Sequence, residues 1–208
     1  MYIITSAIFS VIGTPISSRI KVELFSIRSR IICVETIFTY NVIITLEGLS
    51  LIFMFLMPAL VAGFGNYFVP IYVGTSEVVY PRLNAVSYFV FPLRSILLMQ
   101  SITSVYGSCM GWTMYHSLSS SLMILNTESV DWIIIGVAML GIRSVLGFIY
   151  FVGTSLFLGS VAGRRPNILY ISAIIFAPML IVSLCNLAGV LVVLLVDPHT
   201  NSESYDST

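Results

Sequence analysis

Three ionisable residues, Glu47, Arg94 and Arg143, stand inside long apolar runs, and they are the first candidates for chemistry in this chain. A charge at the centre of an apolar span costs roughly 2.5–3.5 kcal/mol on insertion scales, so it needs a partner, a water-filled cavity or a route to the surface. Arg94 is near the edge of its run and reads as a side chain that snorkels to the interface. Glu47 lies about two helical turns into its run and has two readings, a protonated inert carboxyl or a functional group. Arg143 is mid-run and requires an anionic partner or a wet cavity, and Glu47 is the candidate partner.

The remaining reactive side chains are sparse. Neither His116 nor His199 has a second histidine, cysteine or carboxylate at helical i+3 or i+4 spacing, so both read as surface histidines rather than metal ligands. Cys33, Cys109 and Cys185 are too far apart for a metal or redox motif, and an odd count does not form a disulfide framework. They read as free or lipid-facing thiols. The glycines of AGFGN follow no strand and open no nucleotide-binding turn. Trp112 and Trp132 flank a loop and read as interfacial anchors. Gly136, Gly141, Gly147 and Gly153 share one run and permit close helix contact.

The elements that must position these residues follow from composition. The chain has 208 residues, 58% hydrophobic and 9% charged, with no net formal charge. Mean hydropathy is +1.02. A soluble domain carries about 25% charged residues and could not hide so much apolar surface, whereas lipid solvates it. A neutral chain without a basic tract excludes a nucleic-acid partner. The N-terminus has no positive residues ahead of its apolar run, so it reads as a first span rather than a cleaved signal. The runs are continuous rather than alternating, which excludes a barrel.

The fold class expected is all-α, a polytopic transmembrane bundle of about five spans in a single domain, 1–208. The spans are read as about Tyr2–Ser18, Asn41–Gly63, Val86–Val105, Trp132–Leu158 and Ile168–Val196. The stretch Ala62–Pro70, AGFGNYFVP, reads as a glycine- and proline-punctuated exit. AGRRPN reads as a tight turn, and 197–208 as a polar tail. Arg19, Lys21, Arg28 and Arg30 on one side against Arg82, Arg164 and Arg165 on the other leave orientation undecided.

Several segments, in order, resemble subunit I of the haem–copper cytochrome c oxidases. They are GTPISSRIKVEL, NVIITLEGLSLIFMFLMPALVAGFGNYFVPIYVG, SEVVYPRLNAVSYFVFP, GWTMYHSLSS, VDWIIIGVAMLGIRSVLGFIYFVGT and LLVDPHTNSESYD. The match covers about Gly13 to Asp206. It implies the first five spans of a subunit of about twelve. By that resemblance the whole subunit passes electrons from cytochrome c to oxygen, translocates protons, holds haem a, a second haem and copper, and lies in the mitochondrial inner membrane with other oxidase subunits. Asn66, Asn84, Ser144 and Glu77 match or stand for polar positions of its proton-uptake path. Trp112 marks the haem neighbourhood, and Glu23 a cation site. Tyr115, Asp197 and Asp206 also match.

Departures carry equal weight. Glu47 stands where the family has its low-spin haem histidine, and a carboxylate is a poor substitute on that iron. Lys21 replaces a haem-facing arginine and lacks its planar fork. Arg143 replaces a serine and Tyr150 an asparagine of the proton path, and a fixed positive charge in a narrow water file repels protons. YHSLS stands for YPPLS, and Cys185–Asn186 for Pro–Val. The copper histidine and later haem ligands belong to spans that this chain does not match, so copper is not expected. Three readings stay open: a subunit fragment completed by other oxidase subunits or a complementary C-terminal fragment, a degenerate copy, or a small repurposed channel. In each, the chain is expected not to reduce oxygen alone.

Overall fold

Lipid offers the backbone no hydrogen-bond partner, so a chain this apolar must close its own bonds within helices. The computed structural model describes residues 1–25, 37–104, 107–115, 127–158, 168–200 and 204. Among them there is no strand, and five helices are long and apolar enough to cross a membrane. The expected all-α bundle of five spans is what the structure shows.

Helix α1 is Tyr2–Phe25. It runs past Ser18, because Arg19, Lys21 and Glu23 continue the helix at its end instead of starting a loop. Pro15 removes one backbone donor inside it. Nearby hydroxyls bond the backbone there: Thr14 donates to the Ser10 carbonyl at 2.7 Å and Ser18 to that of Thr14 at 3.0 Å.

Helix α2 covers 37–73. It is α-helical over Ile37–Gly48, widens into π turns over Leu49–Leu56 and Pro58–Phe64, and returns to α over Gly65–Val73. The expected exit at Ala62–Pro70 is therefore helical, a correction. Neighbouring helices and local π turns satisfy the backbone groups that proline and glycine disturb within a span. The chain turns out only at Gly74, whose φ of 79° is left-handed. Its amide and that of Thr75 both donate to the Pro70 carbonyl, at 2.8 and 3.0 Å.

Helix α3 is Pro81–Thr103, with Pro81 in the first turn where its missing N–H costs nothing. Helices α4, Thr127–Leu158, and α5, Ile168–Thr200, are 32 and 33 residues long. Both exceed the roughly 20 residues that a bilayer needs, which favours tilt. The first residues of the 197–208 stretch belong to α5.

The α3–α4 pair and α1 against α2 have the most extensive contacts, followed by α4–α5. Gly13 makes the α1–α2 crossing close, since a Cβ there would lie 2.6 Å from Leu51. Gly136 and Gly153 on α4 lie close to Arg94 and Tyr80, while Gly141 faces open space. The main core joins Leu49, Met54, Phe91, Leu98, Met110, Val130, Ile133 and Leu191. Outside it, Ile4, Val11, Phe89, Ile96, Leu156 and Val182 are exposed, an apolar exterior that suits lipid.

Candidate functional site

One group of buried and half-buried polar side chains converges where α2 ends, α3 begins and the second half of α4 passes. Asn66 lies two residues beyond the π segments of α2 and donates from Nδ2 to the Ala62 carbonyl at 2.7 Å. The same nitrogen reaches Asn84 Oδ1 at 3.1 Å and the Tyr150 hydroxyl at 3.3 Å. One amide thus ties together α2, α3 and α4. From α1, the Tyr2 hydroxyl shares a 2.6 Å hydrogen bond with Ser87 and donates to the Asn84 carbonyl at 3.3 Å. The Arg143 guanidinium lies over the Tyr2 ring, 4.9 Å from its centroid. A cavity of about 30 Å³ opens beside it, with Ser87, Arg143, Ser144 and Tyr150 on its walls, closed by Met57, Val61, Phe148, Phe151 and Leu180. Below, Thr154 donates to the Tyr150 carbonyl and accepts from the Val79 amide at 3.2 Å, which fixes the α2–α3 loop to α4.

Of the residues singled out in the sequence, Asn66, Asn84 and Ser144 meet at this cluster. Glu77 is exposed in the loop between α2 and α3 at the same end, where Thr75 donates to its carbonyl at 3.1 Å. Trp112 is remote from it. It lies in the α3–α4 connection, 46% exposed, against α2. There the Gly111 amide donates to the Thr45 hydroxyl at 3.0 Å, and a Cβ on Gly48 would lie 2.7 Å from the Trp112 Cβ. Glu23 is half-buried near the end of α1. His116, Cys33 and Asp206 lie outside the described residues.

Two arginine expectations change. Arg94 does not snorkel. It is 2% exposed, with two nitrogens against Met54 Sδ at 2.7 and 3.1 Å and one donating to the Phe53 carbonyl at 2.5 Å. The reason lies across the interface. In a π turn the amide bonds the carbonyl five residues back, and Pro58 has no amide to offer Phe53. Arg94 supplies the missing donor. For Arg143, no ion pair with Glu47 exists among the described residues. Ala62 lines the Arg143 cavity, and Glu47 is fifteen positions earlier on α2, about 20 Å along the axis.

Tyr2 and Ser87 carry no signal in the sequence. Nor does the bond between His199 Nε2 and Asp131 Oδ2 at 2.9 Å, which joins the end of α5 to the start of α4. His199 is on the surface, as expected, but it is engaged.

Five apolar helices around a small polar cluster define a multi-pass helical membrane protein. The family described as Cytochrome C and Quinol oxidase polypeptide I matches residues 1–208. Cytochrome c oxidase subunit 1 of Plasmodium berghei is 40% identical over 210 residues, covering 100% of this chain and 44% of that protein. The Plasmodium falciparum protein of the same name is 38% identical with the same coverage. The Yarrowia lipolytica one is 32% identical over 99% of this chain and 38% of its own length. The chain belongs to the cytochrome c and quinol oxidase polypeptide I family, and it spans less than half the length of these relatives.

The described residues do not fit a low-spin haem. Such an iron takes nitrogen or thioether ligands. The resemblance sets Glu47 of α2 at the ligand's place, and Gly48 beside it is closed off by Trp112. His199, the one histidine among the described residues, is bonded to Asp131. No group of three or more histidine, cysteine or acidic side chains able to hold a metal ion occurs among them.

Proposed function

We propose that this chain is a structural piece of an oxidase subunit I, seated in the mitochondrial inner membrane beside other oxidase subunits or a complementary C-terminal fragment, and that it does not reduce oxygen alone. The observation that carries this reading is the Asn66–Asn84 bond of 3.1 Å with Ser144 on the adjoining cavity. Three helices bring together the polar side chains that resemble a proton path, while Arg143 and Tyr150 occupy the space between them. In the complete assembly, electrons pass from cytochrome c to oxygen and protons cross the membrane. This chain's part is to hold α2, α3 and α4 in register through Asn66 and to keep the apolar face toward lipid. Arg143 opposes proton passage, because a fixed charge in a narrow polar file raises the barrier for a cation.

The same arginine favours a second reading, a degenerate copy released from the family's function. Purification of a tagged full-length chain from mitochondria separates the two. Co-purification with oxidase subunits is expected for the structural piece, and rapid turnover without partners for the relic. A low-spin haem a spectrum with oxygen consumption by the purified chain would overturn both.

A further inference from the structure

The geometry points to a binding site for one small monovalent anion, of the halide class and chloride above all, in the cavity beside Arg143. This inference stands apart from the oxidase reading. It begins with an uncompensated charge. Arg143 is 6% exposed, and its buried Nε has no hydrogen-bond partner among the described residues. A guanidinium does not deprotonate in a protein, so this group cannot escape burial by losing its charge. Tyr2 offers its ring face and a hydroxyl within hydrogen-bond reach of the guanidinium, but no negative charge. No described carboxylate supplies one. Asp131 is twelve positions earlier on α4, about 18 Å along the helix, and Glu47 is at the far end of α2. Isolated buried charge is costly enough that a counter-ion is the economical solution.

The cavity sets the identity of that ion. About 30 Å³ accommodates one or two water-sized particles, too little for a phosphate. The Ser144 and Tyr150 hydroxyls share its wall with Arg143. The Tyr150 oxygen accepts from Asn66 and lies within hydrogen-bond reach of Ser87. The remaining wall is apolar, from Met57, Val61, Phe148, Phe151 and Leu180. One cation, the Ser144 hydroxyl and an apolar lining suit a weakly hydrated spherical anion. Water there would satisfy donors but leave the charge unbalanced.

The test is equilibrium dialysis of the full-length chain in detergent micelles against radiolabelled chloride, at constant ionic strength set with gluconate. The wild type is expected to retain one chloride per chain, displaced by bromide and not by gluconate. Arg143→Gln should weaken retention at least tenfold and Ser144→Ala severalfold. Arg82→Gln, which removes the same charge from an exposed position on α3, should bind as the wild type does. Circular dichroism establishes that each variant is helical, and if Arg143→Gln does not fold, Ser144→Ala decides. A helical wild type without saturable chloride binding overturns the site. So does binding that Arg143→Gln, or Ser144→Ala where it must decide, leaves unchanged.

Discussion

Arg94 and Arg143 lie on facing helices, and both are buried at membrane depth, yet the bundle holds them in opposite ways. Arg94 fits a defect. The π turns of α2 and the missing amide of Pro58 leave the Phe53 carbonyl open, and Arg94 closes it. Met54 Sδ takes two more of its N–H groups, and Phe91 lies beneath the guanidinium at 5.3 Å. Arg143 has no such defect to fill. It has the ring and hydroxyl of Tyr2 and a cavity. Apolar depth alone therefore does not decide whether an arginine is tolerated. A broken helix ladder across the interface turns a costly charge into a structural donor.

The largest effect expected follows from that difference. Arg94→Met leaves the Phe53 carbonyl orphaned and removes the contacts to Met54, and it should destabilise the bundle by about 3 kcal/mol. Titration of the detergent-folded chain with dodecyl sulfate, followed by circular dichroism, measures it. Pro58→Ala restores the amide that Phe53 lacks. In the Arg94→Met background it should recover about 1 kcal/mol, a coupling that a double-mutant cycle isolates. Strict additivity would show that Arg94 does not cap Phe53.

Arg143→Met should move stability the other way. Replacing an uncompensated buried charge by an apolar side chain of similar length is expected to stabilise the chloride-free protein by about 1–2 kcal/mol in the same titration. With saturating chloride, the gain over the wild type should shrink. A loss as large as that from Arg94→Met would mean that the two sites are equivalent, and the contrast between them would fail.

Tyr150→Phe sharpens the comparison at a finer level. It deletes the hydroxyl that accepts from Asn66 at 3.3 Å, while Asn66 keeps its shorter bonds to Ala62 and Asn84. The cost should be about 1 kcal/mol. Asn66→Ala removes the whole tie and should cost more. Equal effects from the two variants would show that the tyrosine bond alone matters.

Hydropathy made the number and order of the spans legible, because lipid admits few alternatives to an apolar helix. Their ends were less so. Arg19, Lys21 and Glu23 lie beyond the expected end at Ser18, yet they continue the helix, since charged residues at the water-facing end of a helix cost little. The glycines and prolines of Ala62–Pro70 read as an exit, although only Gly74 has the left-handed φ that ends the helix. Arg94 does not snorkel because its partners, the Phe53 carbonyl and Met54 Sδ, lie on another helix far away in the chain, and nothing in local spacing connects them. Asn66, Asn84 and Ser144 emerged from resemblance, not from periodicity, since each alone is an ordinary polar residue in an apolar run. Tyr2 and Ser87 were invisible for the same reason, with no motif to mark them.

The smallest effect concerns the pair at the rim, which calibrates the two buried sites. His199 is 55% exposed and Asp131 21%, so water screens their 2.9 Å contact and each side chain keeps a good solvated alternative. His199→Ala should therefore cost no more than about 0.5 kcal/mol, and raising the salt from low to molar concentration should erase most of the difference from wild type. The contacts of Arg94 should be indifferent to the same salt, because no solvent reaches them. If His199→Ala matched Arg94→Met, the α4–α5 junction rather than the π turns of α2 would be the main lock of the bundle. The measured order of these two variants thus decides whether stability resides in the buried defect or in the closing of the last helix.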